Sequence, residues 1–521
     1  MPSLENLLLD ETWLRRAAAI TVYLVVAVVL AYWVGTQQLL YLYLTVQIAI
    51  LLFLILFAQR RAWVLILLGW FLTGATAFFR IPISIRDFCV LASVCAYLVY
   101  RVVSANPMRE RWCLLDALIF INAGYLIFTY VLNPVGFAAF GAETVGARPY
   151  FTIVLALMGY WVIWRLPSNI KTVSRIPLFI LAGSAMTASL YTMSYFFPSV
   201  PSRIPIVYAA LNVGAYFGRQ AVVKEAGGTE IMRYKELAFF GAVLLTTLYA
   251  YSPSLRILSP LRPRFYFVVL GFFCILLSGF RGAFVGVCAL FAISVWLHRG
   301  TRSFLITCTV GGLLALALAM GQGRLYNLPF SAQRALTFLP GHWDPVVVLD
   351  AEMSSQGRFD WWRHAIEEHQ IKDWWFGDGF GATVSDLMVA SQHGGEAMAE
   401  VTGSLHSGPL TAIRYVGIFG LVLFYAIAIT AAVYACRCAR QCKGTLLQPV
   451  AIYLAIQLVW FPVDYTLIFG AYNEDMPQVI FLVGLLRVVM RMAERVKSTS
   501  SSIPAHSPVI VSERQMLPSL N

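Results

Sequence analysis

Charge is what this sequence has least of. Only 12% of its 521 residues are Asp, Glu, Lys or Arg, about half the share of an ordinary soluble domain. Acidic residues are the scarcer kind, 26 Asp and Glu against 38 Lys and Arg. With 59% hydrophobic residues and a mean hydropathy of +0.73, the chain is excluded from the soluble globular class. The net charge of +12 lies in short clusters between apolar runs, not along one face, so nucleic-acid binding is not implied. Cysteines are few and scattered, with none from 322 to 404, which excludes a disulfide framework there. Cys436, Cys438 and Cys442 lack a histidine or further cysteine at ligand spacing, so no zinc site is expected. No HExxH run and no DxD pair occurs, the nearest being Asp350 and Glu352; neither a catalytic metal nor a cofactor is expected. The sequence also lacks an internal repeat, which argues against transporter folds built from duplicated halves.

What the chain does contain is a succession of apolar runs long enough to cross about 30 Å of hydrocarbon as helix. They fall near 17–35, 38–58, 62–79, 86–104, 113–132, 149–166, 175–196, 236–253, 264–279, 282–298, 303–321, 405–436, 448–469 and 475–490. The runs are continuous and not alternating, which fits helices better than a β-barrel. The first follows Arg15 and Arg16 but lacks a small-residue cleavage pattern, so it reads as an uncleaved span. The expected fold is an all-α polytopic membrane protein of about 12–14 transmembrane helices with one large periplasmic loop containing short helices. Its expected organisation is an N-terminal transmembrane bundle over 1–235, helices with an Arg281 hairpin over 236–321, the large loop over 322–404, C-terminal transmembrane helices over 405–497 and a disordered cytoplasmic tail over 498–521.

Positive residues in short loops favour the cytoplasm. Arg60 and Arg61, Arg109 and Arg111, Lys171 and Arg175, Arg262 and Arg264, Arg299 and Arg302, Arg437 and Arg440, and Arg491 and Arg495 all fall on one side of the span count. Both termini are then cytoplasmic and the 322–404 loop lies outside. Arg233, Arg281, Arg324, Arg334, Arg358, Arg363 and Lys372 remain on the outer side, which suggests an anionic ligand there; the alternative is that long loops escape the rule.

Arg281 stands in Ser278-Gly279-Phe280-Arg281-Gly282, between two apolar segments of about 16 residues whose rise as helix is roughly 24 Å. The turn between them therefore lies below the outer headgroups. An arginine there costs a few kcal/mol unless something anionic meets it, and the flanking glycines let backbone approach closely. Binding of a lipid-linked phosphate is one reading; snorkelling to lipid headgroups is the other. Between Ser354 and His369 the pattern becomes that of an amphipathic helix, with Ser354 or Ser355 as its cap. Arg358, Trp361, Trp362, Ala365 and Ile366 share its buried stripe. A guanidinium on that face suits bidentate grip of a diphosphate, or an ion pair with Asp344 or Asp378. Trp361, Trp362, Trp374 and Trp375 offer stacking faces for sugars or an interfacial belt. The run Gly377-Asp378-Gly379-Phe380-Gly381 lacks the context of a nucleotide loop and reads as a tight turn. His406, in Ser404-Leu405-His406-Ser407-Gly408-Pro409-Leu410, begins a span at the outer boundary. A neutral imidazole there accepts a proton from a hydroxyl, or is simply satisfied at the interface.

The order of Ser278 to Gly282, Gly357-Arg358 with Trp362, Gly377 to Gly381, His406 to Leu410 and Gly417 to Leu421 resembles the O-antigen ligase and polymerase superfamily over roughly residues 230–430. This resemblance implies a metal-independent, inverting glycosyltransferase of the bacterial inner membrane with its active site facing the periplasm. The donor is then a glycan on undecaprenyl diphosphate and the acceptor a hydroxyl of lipid A core or of another glycan, among membrane lipids and without nucleic acid. Arg281 and Arg358 hold the diphosphate and His406 activates or orients the hydroxyl. Arg233, Ser278, Arg334, Trp362, Ser407 and Arg414 are the expected substrate contacts. Ser407 stands where the family often has Asn, and Phe280 where a small residue is usual. Ligase is the reading taken, for lipopolysaccharide or surface polysaccharide synthesis. A polymerase or protein oligosaccharyltransferase shares the motifs, and a lipid-linked oligosaccharide flippase or exporter is the competitor from another class.

Overall fold

The computed structural model describes residues 63–70, 75–76, 83–103, 112–137, 140–165, 169–196, 235–252, 259–368, 370–393, 395–403, 405 and 407–501, with six positions between 20 and 28. Most of the first apolar run, the whole of the second, Arg233, His369, Ser404, His406 and most of the tail lie outside the described residues. The helices are α1 (Trp63–Trp70), α2 (Ile85–Val103), α3 (Leu114–Leu132), α4 (Ala147–Arg165), α5 (Ile170–Val173), α6 (Ile176–Phe196), α7 (Lys235–Tyr251), α8 (Pro263–Ser278), α9 (Arg281–Arg299) and α10 (Thr301–Gly321). They continue with α11 (Phe330–Leu336), α12 (Pro345–Glu367), α13 (Val384–His393), α14 (Gly395–Thr402), α15 (Gly408–Gln441), α16 (Gln448–Val463) with a π-helical turn over Asp464–Ile468, and α17 (Tyr472–Ser501). Seven of the described helices are long and apolar enough to cross a membrane, and the chain is an all-α polytopic membrane protein. The interval between α10 and α15 holds four helices, three of them short and one, α12, of 23 residues.

Burial sorts the helices into centre and edge. In α17, 83% of the apolar window is buried, against 11% in α10. Helix α17 packs on α4, α15 and α16, and α10 shows the surroundings most of its surface. Within the bundle, Asp116 of α3 and Arg487 of α17 form a buried two-pronged ion pair, with Arg487 Nε and Nη2 each 3.0 Å from a carboxylate oxygen. The Cys113 N–H (2.6 Å) and the Tyr160 hydroxyl also donate to that carboxylate. Both charges are thus matched in a region where an unmatched one is costly.

Two short antiparallel pairs complete the fold, Ala75–Thr76 with Ile83–Ser84 and Thr144–Val145 with Ala382–Thr383. The second pair ties the connection before α4 to the loop that follows α12.

Two departures from the sequence expectation shape the loop. The helix expected to start near Ser354 starts at Pro345, capped by Asp344, whose side chain accepts from Val346 N (2.9 Å). Asp-Pro at the cap and first helical position is a strong start, and it adds more than two turns. Ile366, expected on the buried stripe, is exposed, whereas Ala365 is buried. The span beginning near 405 is broken at Gly417, which takes φ 67°. The run from Trp374 to Gly379 docks into that break: Ile418 N donates to Trp374 O (2.8 Å), Asp378 N to Arg414 O (2.7 Å) and Gly379 N to Tyr415 O (3.0 Å). The tight turn expected at Gly377 to Gly381 is there, with Gly377 and Gly379 both at positive φ, and it satisfies backbone groups freed by the break.

Candidate functional site

The site is built around a reversal of the chain. Helix α8 ends on Gly279 in the left-handed conformation (φ 70°), a common way for a helix to stop. Ser278 is fully buried; its hydroxyl donates to Ile275 O (2.6 Å) and accepts from Phe280 N (3.3 Å). Arg281 then opens α9 at the mouth of the turn. Its Nη2 donates to Ala351 O (3.0 Å) and to Ser355 Oγ (3.1 Å), both on α12.

Helix α12 continues the line. Arg358 follows Ser355 by three residues, about 4.5 Å farther along the axis, and its Nη1 donates to Ile468 O (3.2 Å) at the end of the π-helical turn. Trp362, one turn on, donates from Nε1 to Leu405 O (2.9 Å). Ala351, Ser355, Arg358 and Trp362 stand at i, i+4, i+7 and i+11, one face of one helix. That face receives three separate segments of chain: the Arg281 turn, the Ile468 bend and the strand of chain at Leu405. Arg281, Ser355, Arg358 and Trp362 are all partly exposed.

The receiving segments are locked to each other. A Cβ on Gly282 would collide with the Ile468 side chain, so α9 and the π-helical turn touch where the glycine permits it. Gly286, four residues on, faces the Trp460 indole with room for a Cβ at 3.5 Å; this is the small-xxx-small spacing that lets membrane helices approach. The Tyr465 hydroxyl donates to Gly408 O (2.6 Å). A Cβ on Gly470 would lie 2.6 Å from the Gly408 Cα. Ser407 is the N-cap residue of α15 and is partly exposed.

The other residues singled out from sequence are placed as follows. Arg334, on α11, is 3% exposed; its Nη1 donates to Gly279 O (2.6 Å) and its Nε pairs with the Asp350 carboxylate. Arg414 pairs with Asp378 (3.6 Å) and donates to Gln370 O, which engages it with the docked Trp374–Gly379 run. Asp378 is thereby committed to Arg414 and to the N–H groups of Lys372 and Asp373 (3.0 Å each). Asp344, the other carboxylate considered for Arg358, caps α12. His406 and Arg233 lie outside the described residues, although Leu405 and Ser407 on either side of His406 are described. Asp350 and Glu352 do not act as a pair, since Asp350 is turned to Arg334 and Glu352 is exposed. Among the described residues no three His, Cys, Asp or Glu side chains are grouped to hold a metal ion. The Cys438 and Cys442 sulfurs are 3.9 Å apart and buried within the bundle.

Sequence reasoning named Asp350 and Ser355 in other roles, as part of an imperfect acidic pair and as a helix cap, and missed Ile468. Ser355 was legible, because it shares the face of Arg358. Ile468 was not, because a backbone carbonyl leaves no residue-type signal.

Chemically, the named side chains bring three guanidinium groups and one carboxylate to one wall, a balance that favours an anion. A guanidinium is a fixed planar fork that matches phosphate oxygens two at a time. No curated protein matches the chain. Residues 266–425 match the family model described as O-antigen ligase. The matched stretch runs from α8 into α15 and contains Arg281, Arg334, Asp350, Ser355, Arg358, Trp362 and Leu405. The sequence motifs, the helical membrane fold and this match agree: the chain is a multi-pass membrane protein whose residues 266–425 are similar to the O-antigen ligase family.

Proposed function

We propose that the protein is a glycosyltransferase that moves a glycan from undecaprenyl diphosphate onto a hydroxyl acceptor at the periplasmic face of the bacterial inner membrane. The observation that carries this reading is the single face of α12, where Arg281 is bonded to Ser355, within one helical turn of Arg358. The same face holds Leu405, the residue before His406, through Trp362.

In this mechanism the acceptor oxygen attacks the anomeric carbon of the donor sugar as the bond from that carbon to the diphosphate oxygen breaks. The electron pair leaves with undecaprenyl diphosphate. Arg281 and Arg358 meet the charge that grows on its oxygens, which is where fixed cationic donors lower a barrier most. The acceptor proton passes to the His406 imidazole. One displacement inverts the configuration at the anomeric carbon. Donor energy arrives with the lipid, so neither a nucleotide nor a metal enters the scheme. Ser407 and the Trp362 ring border the acceptor side.

We take lipid A core as the acceptor, hence a ligase, in keeping with the family description O-antigen ligase; a polymerase would differ only in using a second lipid-linked glycan. The test is transfer by purified protein in lipid bilayers, from undecaprenyl diphosphate glycan to lipid A core or to a second donor, with chelator present. Arg281→Ala, Arg358→Ala and His406→Ala are expected to abolish transfer. Full transfer by all three variants would refute the roles given to these residues. A purified parent that transfers nothing would refute the reading, in favour of an exporter if the parent flips the lipid and the variants do not, and of an assembly partner if it does neither.

A further inference from the structure

Arg334 and Asp350 have no place in the scheme above, yet both are bonded to the segments that define it. Arg334 is 3% exposed, too buried to meet a lipid diphosphate without displacing its partners. Its two named bonds join different elements: Nη1 to Gly279 O (2.6 Å) at the end of α8, and Nε to the carboxylate of Asp350 on α12. A cation at a helix C-terminus is favourably placed against the exposed carbonyls, and here the same cation also reaches a carboxylate.

The connection closes on itself. Gly279 is two residues before Arg281. Arg281 donates to Ala351 O, and Ala351 is the residue after Asp350. The path from the turn through Arg334 to Asp350, one step along α12, and back through Arg281 to the turn is a ring with no flexible link except the side chains themselves. The neighbouring residue Gln333 adds a second grip, since its Oε1 accepts from Asp344 N (3.0 Å), the cap of α12, and its Nε2 donates to Leu328 O (2.8 Å). Helix α11 packs on α8, α9 and α12. It thus acts as a plate that fixes how far α12 slides along the turn.

That axial setting decides which residue of α12 stands beside Arg281. A slip of one residue on α12 moves the stripe by about 1.5 Å and 100°, enough to turn Arg358 away from Ile468. We infer that Arg334 and Asp350 are positioning residues, a buried ionic latch that sets the register of the Arg281 turn against α12 and so the spacing between Arg281 and Arg358. This rests on the glycosyl-transfer reading for its catalytic consequence, but not for its structural one.

The test uses the full chain in lipid bilayers and reads two quantities: glycan transfer, and the rate at which a phenylglyoxal reagent modifies Arg281, with exposed Arg363 on the same helix as internal reference. Asp350→Asn and Arg334→Lys are expected to raise Arg281 modification about threefold or more relative to Arg363, and to lower kcat about tenfold or more with a smaller change in donor KM, as displacement of a positioned group does. Asp350→Glu, which keeps the charge, is expected to return both toward the parent values. Monodisperse elution of each variant establishes that it is folded. Unchanged Arg281 modification in Asp350→Asn overturns the latch whether or not transfer falls. Should the parent protein transfer no glycan while Arg281 modification still rises in Asp350→Asn and falls back in Asp350→Glu, the latch stands and the glycosyl-transfer reading fails.

Discussion

Gly282→Ala is the smallest change that tests whether the spacing between the two arginines matters. The added methyl would occupy the place of the Ile468 side chain, whose own carbonyl accepts the bond from Arg358. Overpacking of this kind costs about 1–3 kcal/mol. Part of that cost is expected to be relieved by movement of the α9 N-terminus away from the π-helical turn, because α9 begins at Gly282's neighbour Arg281 and has only the Gly279–Phe280 turn before it. A misplacement of about 1 Å between catalytic groups lowers rate by up to ~10²-fold. At about 1.36 kcal/mol per tenfold, the strain corresponds to a loss of roughly 5- to 150-fold in kcat. Ile468→Ala removes the colliding atoms and leaves the carbonyl that holds Arg358, so the double variant is expected to recover most of the activity. The assay is a double-mutant cycle on transfer rate in lipid bilayers, with a coupling of at least about 1 kcal/mol expected between the two sites. Additive losses, or a Gly282→Ala protein as active as the parent, would refute the claim that Arg281 and Arg358 act as a spaced pair.

Three further expectations follow from contacts elsewhere. Trp362→Phe deletes the bond to Leu405 O and keeps most of the ring; it should cost about 0.5–1.5 kcal/mol of local order, read as faster amide hydrogen exchange around Leu405 and a severalfold lower kcat. Asp116→Asn strands the Arg487 guanidinium within the bundle and should destabilise the protein by about 3–5 kcal/mol. Thermal unfolding in detergent measures this, and adding Arg487→Met to Asp116→Asn should recover stability if desolvation is the cause. Gly417→Ala combines a positive φ with a methyl aimed at the Trp375 carbonyl, so it should expel the Trp374–Gly379 run from the α15 break; protease cleavage near Trp375 should then accelerate.

Much of the architecture was readable because a membrane allows so few solutions. Apolar runs at 113–132 and 282–298 became Leu114–Leu132 and Arg281–Arg299, since a backbone in hydrocarbon has to satisfy itself as helix. The start of α12 was misread for a local reason. Asp344-Pro345 is a good cap, but Val346, Val347, Val348 and Leu349 form a continuous apolar run without helical spacing, and Ser354-Ser355 offered a second apparent cap. The Gly417 break was hidden inside an apolar run. Its cause lies forty residues earlier in chain, where Trp374 and Asp378 supply the bonding partners for Ile418 and Arg414. Arg281 and Arg358 were legible as arginines in unfavourable places, whereas what they bond to was not: Ala351 O and Ile468 O are backbone atoms, chosen by packing.

Among the arginines placed in detail, Arg487, Arg334, Arg281 and Arg358 differ in the kind of oxygen that orients them. Arg487 and Arg334, both nearly completely buried, are set at bonding distance against carboxylates, Asp116 and Asp350. Each pair is close to neutral as a unit, which is how a buried cation is accommodated. Three bonds that aim Arg281 and Arg358 end on two peptide carbonyls and a serine hydroxyl. Such acceptors fix the direction of a guanidinium, and both residues are partly exposed. Orientation in advance is what a site requires if it is to meet charge that develops only during reaction, because donors already in place need no rearrangement at the moment of bond breaking. The same division explains why Arg334 belongs to the scaffold although it stands two residues' reach from Arg281: its partner is an acid on the helix that the scaffold has to hold still.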